Sequence, residues 1–203
     1  MLEFNKYNLV DWLSFYRVAI TPFLLLIIFL DLRLLFAWGL TLSYTTDALD
    51  GYLARKLNIT SSRGAQLDSL GDQLTFVIGV IGLFFFEFNF MLDNLWLILL
   101  ALTPYVAQVL IAFKKYGKTT AFHTYLAKLS AITQAVFILW LLFFGPVYWL
   151  FYFMIIIGII ETLEEIILIF LFDNWVSDVK GLYWGLRDKR RHDLNDTSEN
   201  KKP

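Results

Sequence analysis

Cysteine is absent from the chain, so no disulfide framework, no thiolate nucleophile and no cysteine-ligated metal site belongs to its chemistry. Charged residues are also scarce, at 17%, where an ordinary soluble domain carries about 25%. What fills their place is apolar: 58% of the 203 residues are hydrophobic, 18% are aromatic, and mean hydropathy is +0.61. A soluble globule of this length could not hide so much apolar surface. The composition therefore excludes a soluble enzyme, a disordered chain and a nucleic-acid binder. It leaves a polytopic membrane protein.

A helix needs about 20 mostly apolar residues to cross a bilayer. Six stretches qualify, at about Trp12–Leu30, Arg33–Leu57, Gly64–Phe88, Asn94–Phe113, Phe122–Phe144 and Val147–Phe172. Asp31, Asn58, Asn89 with Asp93, Gly117 and Gly145-Pro146 punctuate them. The expected fold class is all-α, a bundle of six transmembrane helices. Residues 1–11 mix Leu2, Phe4, Tyr7 and Leu9 with Glu3, Lys6 and Asp11, which predicts a short interfacial helix. The first apolar run has no small-residue cleavage site, so it is read as a span and not as a cleaved signal. Residues 1–187 form the expected membrane domain, and the polar stretch 188–203 is expected to be a disordered tail.

Orientation follows from lysine and arginine. Of 17 such residues, Arg17 and Lys128 lie within spans, and Arg33 alone falls on the face of the loops near 32, 90 and 145. The others share the opposite face, so both termini are expected in the cytoplasm, beside anionic lipid. The expected location is a bacterial inner membrane with the active site on its cytoplasmic side.

A charge at the bilayer centre costs about 2.5–3.5 kcal/mol even on insertion scales. The second span nevertheless carries Asp47 and Asp50, with Gly51 and Ala54 on the same helical face. The third carries Asp68 and Asp72, with Gly64 one turn earlier. At about 1.5 Å per residue, Asp50, Asp68 and Asp72 lie roughly 10, 6 and 12 Å from the cytoplasmic ends of their helices. All four carboxylates can thus meet in one layer, with small residues allowing the backbones to approach. Such a cluster needs raised pKa values or divalent countercharge. Oxygen ligands favour Mg²⁺, Mn²⁺ or Ca²⁺ over zinc, and a pair of ions about 3.5–4 Å apart is a device of phosphoryl displacement. Arg55, at the mouth of the helix, can fork onto a phosphate. The plainer reading has these aspartates cap helices or pair with Arg17, Arg55 and Lys128. Four at this spacing, with the glycines, favour the metal layer.

The run Asp47-x2-Asp50-Gly51-x2-Ala54-Arg55-x8-Gly64-x3-Asp68-x3-Asp72 resembles the signature of the CDP-alcohol phosphotransferases at all eight fixed positions. The resemblance implies transfer of a phosphatidyl group from CDP-diacylglycerol to an alcohol, with release of CMP. It implies that Asp47, Asp50, Asp68 and Asp72 hold two divalent ions, Mg²⁺ or Mn²⁺, and that Asp72 acts as general base. Gly51, Ala54 and Gly64 would make room for the nucleotide, and Arg55 would sit near its phosphates. Homodimers are common in this family.

The stretch from Asn8 to Pro22, including Arg17, resembles the start of bacterial phosphatidylglycerophosphate synthases, which use glycerol 3-phosphate. Arg17 either reaches the acidic layer to serve the acceptor or snorkels to the interface. In glycerophosphate-using relatives a Gly-Lys-x-Lys-Thr segment occurs near Gly117-Lys118-Thr119-Thr120, which here lacks the second lysine. Lys118, His123 and Lys128 are the candidate acceptor-binding cations, whereas Lys114 and Lys115 fit the positive-inside pattern. Glu161, Glu164 and Glu165 crowd the sixth span. They either pair with Lys128, through Glu164 or Glu165, or face a cavity and bind a cationic or polyhydroxyl acceptor. Serine, inositol phosphate and phosphatidylglycerol remain alternative acceptors. A small cation transporter is the competitor from another class. It would call for inverted repeats, and the acidic pair has no second copy.

Overall fold

The computed structural model describes residues 9–57 and 62–187. The expected interfacial helix falls mostly on 1–8 and the expected tail on 188–203, both outside the described residues. Seven helices are named: α1 (Leu9–Phe29), α2 (Arg33–Leu57), α3 (Ser62–Phe86), α4 (Phe88–Asp93), α5 (Leu95–Tyr116), α6 (Tyr125–Phe144) and α7 (Tyr148–Leu171). Among the described residues no strand forms. One isolated bridge joins Ala121 and Ser177. The protein is therefore all-helical, and each of the six apolar stretches is a helix.

Two differences from the expected boundaries have local causes. The connection expected near 87–94 contains α4, a six-residue helix whose Phe90 and Met91 are buried. The fifth apolar stretch starts its helix at Tyr125 and not at Phe122. Phe122 is spent in a buried cluster with Ala112, Leu168, Ile169 and Val179. Thr124 is the first polar side chain able to cap, and its Oγ1 accepts from the Ala127 amide at 3.0 Å.

Two helices, α5 and α6, are long and apolar enough to cross a membrane, and 15–29 and 73–86 are shorter apolar stretches. In α7 the three glutamates Glu161, Glu164 and Glu165 interrupt the apolar run. Apolar side chains stand exposed along the helices, among them Phe29, Trp96, Phe144 and Trp149, while Arg17, Gln108 and Glu165 are buried. Such extensive apolar exposure calls for a lipid or protein cover.

The chain divides into two compact units, residues 1–93 with 138–147, and 94–137 with 148–203. In the first unit α1, α2 and α3 pack on one another. A Cβ on Gly39 would strike Leu24 Cδ2 at 2.5 Å, and one on Gly82 would meet the Phe36 ring at 2.2 Å. Close approach at small residues suits helices that gain little from the hydrophobic effect in lipid. Hydroxyls bond within their own helices, as Thr41 Oγ1 to the Ala37 carbonyl and Thr46 Oγ1 to the Leu42 carbonyl.

Arg33 has a structural task. Its Nε and Nη2 donate to the Leu142 and Leu141 carbonyls at 2.8 and 2.7 Å, and Nη2 pairs with Glu87. It thereby caps the last turn of α6, where the Leu142 carbonyl lacks an intrahelical partner and the Leu141 carbonyl also accepts the Gly145 amide.

Candidate active site

The acidic motif lies on the C-terminal half of α2 and the N-terminal half of α3, on either side of residues 58–61. Ser43 of α2 and Thr75 of α3 hydrogen-bond at 3.1 Å, fully buried. This bond sets the level of the two helices. Asp47 stands four residues beyond Ser43 and Asp72 three residues before Thr75, about 6 and 4.5 Å along the axes. Their backbones thus lie at matching depth on consecutive helices. Asp50 and Asp68 follow one turn further on, toward the same end. The side chains of Asp50, Gly51, Ala54, Arg55, Gly64, Asp68 and Asp72 fall outside those described.

Asp47 itself is described, and its partner is Arg17. Nη1 of Arg17 donates to Asp47 Oδ1 at 2.6 Å. Arg17 is 1% exposed and Asp47 43%. The length of this contact is that of a charge-assisted hydrogen bond. The rest of Arg17 lies against α3. A Cβ built on Gly71 would sit 3.3 Å from Arg17 Cβ and 3.5 Å from Nε and Cζ. Gly71 is the seat for the guanidinium, next in sequence to Asp72. Inspection of the motif alone does not single it out; its signal is a small residue beside a motif aspartate. Arg17 and Asp47 are thus brought together within the first unit. Among the described residues no three acidic or imidazole side chains converge as a metal cluster.

Lys118, His123 and Lys128 belong to the second unit. Gly117 closes α5 in a left-handed conformation, φ 71°, with its amide on the Phe113 carbonyl. The loop then runs to Thr124, the cap of α6, and His123 within it also has positive φ, 54°. Lys118 is exposed, with Nζ 3.5 Å from the centroid of the Trp175 ring. Lys128 is exposed too, with Nζ 5.7 Å from the Tyr125 ring centroid.

The expected pairing of Lys128 with Glu164 or Glu165 is not made. Glu165, 8% exposed, accepts from Gln108 Nε2 at 2.6 Å and from Thr120 Oγ1 at 2.7 Å. Gln108 Nε2 also donates to Thr120 Oγ1 at 3.0 Å, closing a triangle. Glu164 Oε1 accepts the Leu182 amide at 2.9 Å. Neutral donors reach the glutamates first because α5 and the segment after α7 pack directly on α7, whereas Lys128 points to the exterior. Gln108 is a partner that the charge pattern did not suggest. Its signal is one amide in an otherwise apolar helix.

Comparison with known proteins identifies the family. A family model described as CDP-alcohol phosphatidyltransferase matches residues 7–163, which contain the whole motif. A protein of Wigglesworthia glossinidia brevipalpis named "CDP-diacylglycerol--glycerol-3-phosphate 3-phosphatidyltransferase" is 30% identical over 196 residues, covering 92% of this chain and 100% of that protein. One of Salmonella choleraesuis with the same name is 26% identical over 150 residues, 68% of this chain and 78% of its own. One of Rickettsia bellii is 37% identical over 70 residues, 33% of this chain and 39% of its own. No solved structure matches significantly. The eight-position motif, its place on two level helices and the match over most of the length lead to one conclusion: the chain belongs to the CDP-alcohol phosphatidyltransferase family.

Proposed function

We propose that this protein transfers the phosphatidyl group of CDP-diacylglycerol to glycerol 3-phosphate and releases CMP. The observation that carries the acceptor is the likeness, over the full length of that relative, to a protein whose name states this reaction. The donor and the reaction class rest on family membership.

The donor set fits divalent cations. Asp47, Asp50, Asp68 and Asp72 offer only carboxylate oxygens, the preference of hard ions such as Mg²⁺ and Mn²⁺. The described countercharge, Arg17, is one cation for a layer of four aspartates. Asp47, Asp50, Asp68 and Asp72 would hold the ions, two in number. When bound, the ions neutralise the charge of the pyrophosphate and of the developing transition state.

The chain's own residues account for the rest. Gly51, Ala54 and Gly64 leave room for the nucleotide, and Arg55 binds its phosphates as a planar fork. Asp72 takes the proton of the acceptor hydroxyl as that oxygen attacks the phosphorus bearing the diacylglycerol. A new P–O bond forms, the P–O bond to CMP breaks, and CMP leaves with the electron pair. Lys118, His123 and Lys128 are cations for the phosphate of the acceptor, and Arg17 orders the acidic layer through Asp47.

Six spans with both termini cytoplasmic suit this chemistry. A nucleotide head group and a soluble acceptor then meet at the cytoplasmic face of a bacterial inner membrane while the lipid tails stay in the bilayer. Residues 1–187 form the membrane domain and 188–203 the cytoplasmic tail. The assembly is a homodimer. The exposed apolar residues of the helices support the membrane reading.

The test is release of CMP from CDP-diacylglycerol by purified protein, with glycerol 3-phosphate, serine, inositol phosphate and phosphatidylglycerol offered in turn. Release with glycerol 3-phosphate is expected. Release with serine alone overturns the acceptor, and no release with any acceptor in Mg²⁺ or Mn²⁺ overturns the enzyme.

A further inference from the structure

After α7 ends at Leu171 the chain folds back. Residues 173–182 run along the loop that joins α5 to α6, and they engage two backbone carbonyls of that loop and the first amide of α6. Trp175 Nε1 donates to the Thr119 carbonyl at 3.0 Å. The Asp178 amide donates to the Ala121 carbonyl at 3.0 Å, beside the Ala121–Ser177 bridge. The Tyr125 amide donates to the Lys180 carbonyl at 3.1 Å. Beneath these bonds Val176, Val179 and Leu182 pack on Phe122, Leu168 and Ile169. Glu164 fixes the far end through the Leu182 amide, and a Cβ on Gly181, whose φ is 152°, would come within 3.2 Å of Glu164 Oε1. From the other side Glu165 holds the loop through Thr120. Of the glutamates of α7, Glu164 thus holds the returning segment and Glu165 the loop.

The cations of this region divide into two kinds. Lys115 Nζ donates to the Ile169 carbonyl at 2.9 Å, and Tyr116 Oη donates to the Ile169 and Phe172 carbonyls at 3.0 and 2.6 Å. These side chains satisfy the open C-terminal end of α7. The Lys118 ammonium, by contrast, meets the face of Trp175 and no carbonyl or carboxylate among the described residues. An aromatic face attracts the cation without consuming its N–H donors as an oxygen acceptor would. The indole is itself held by Thr119, the residue after Lys118. Lys118 is therefore an exposed cation drawn to the indole face, with N–H donors still open to an oxygen acceptor. A phosphate monoester is the ligand chemistry this suits. Prior ordering also lowers the entropy lost on binding.

We propose that segment 173–182 is a positioning strap for the loop 117–124, and that Trp175 sets Lys118 to receive the phosphate of the acceptor. This rests on glycerol 3-phosphate being the acceptor. Trp175 acts only through Lys118, so it is a positioning residue.

The experiment is steady-state kinetics on the purified full-length protein, varying glycerol 3-phosphate and CDP-diacylglycerol separately. Trp175→Ala is expected to raise KM for glycerol 3-phosphate about two- to fivefold, the ratio equivalent to a partly exposed cation–π contact. KM for CDP-diacylglycerol should stay within about twofold on the same scale. Trp175→Phe, which keeps an aromatic face, should recover part of the loss. In a Lys118→Ala background, Trp175→Ala should add nothing further. An unchanged KM for glycerol 3-phosphate in Trp175→Ala overturns the proposal. So does an equal rise for both substrates, or a full additional loss in the Lys118→Ala background. Wild-type protein that ignores glycerol 3-phosphate overturns the acceptor reading first, and this inference with it. If Trp175→Ala fails to fold, the Trp175→Phe and Lys118→Ala pair carries the same comparison.

Discussion

Arg17 of α1 and Asp47 of α2 form an ion pair, 2.6 Å between Nη1 and Oδ1, with the guanidinium seated on Gly71 of α3. One side chain therefore links α1, α2 and α3 at the level of the acidic motif. Arg17 is buried and Asp47 is half-exposed, so water can re-solvate the aspartate when its partner is lost. Arg17→Ala should cost stability at the lower end of about 1.5–3 kcal/mol, the range for hydrogen bonds to charged groups. Gly71→Ala should cost no more than about 1 kcal/mol, because alanine's helix propensity offsets the crowding of Arg17 at 3.3 Å. Thermal melts in detergent measure both. A loss in Gly71→Ala as large as that in Arg17→Ala would show that Arg17 cannot give way.

Asp47→Ala, Asp50→Ala and Asp68→Ala should each abolish turnover, and so should EDTA, with recovery on adding Mg²⁺ or Mn²⁺. The reason is that carboxylates grouped at one depth in a membrane need countercharge. CMP release is the readout, and full activity in EDTA contradicts the metal layer.

Asp72→Asn should retain CDP-diacylglycerol binding while kcat falls about 10²-fold or more, the usual scale for a positioned base. The amide keeps the shape and one oxygen but takes no proton. Binding and turnover on the same preparation decide the matter. A near-normal kcat removes Asp72 from the role of base, and joint loss of binding assigns it chiefly to the metals.

Reporter fusions after residues 93 and 117 should report opposite sides of the membrane, with 117 cytoplasmic. Lys114, Lys115 and Lys118 cluster at the second position, and Asp93 closes α4 at the first. Fusions placing both on one side refute the six-span topology.

Glu165→Gln should be tolerated, because its amide carbonyl can still accept from Gln108 and Thr120. Glu165→Ala should cost about 1–3 kcal/mol, since it leaves those two donors without their acceptor. Melting temperatures of the two variants separate the cases. Equal losses would mean that the charge itself is required.

Much of this protein is legible in the order of its residues. Long apolar runs interrupted by Asp31 and Gly145 determine where helices start and stop, because a helix end needs a break in the apolar pattern or a special φ. The spacing of Asp47, Asp50, Asp68 and Asp72 places them on helix faces through the period of 3.6 residues, and that chemistry is local. Family membership follows from the same motif. Partner choice is different, because it depends on which helices touch. Lys128 and Glu165 look paired by depth, yet Glu165 bonds Gln108 and Thr120 because those donors are packed against it. Arg17 could serve an acceptor or the interface by sequence, and only packing against Gly71 aims it at Asp47. The segment from Trp175 to Leu182 carries no motif and no helical period. Its meaning arises when it closes over a loop some 55 positions earlier, as in the Trp175–Thr119 bond between residues 56 apart. Local periodicity determined the helices and the helical spacing of the acidic motif; long-range packing decided which charge answers which.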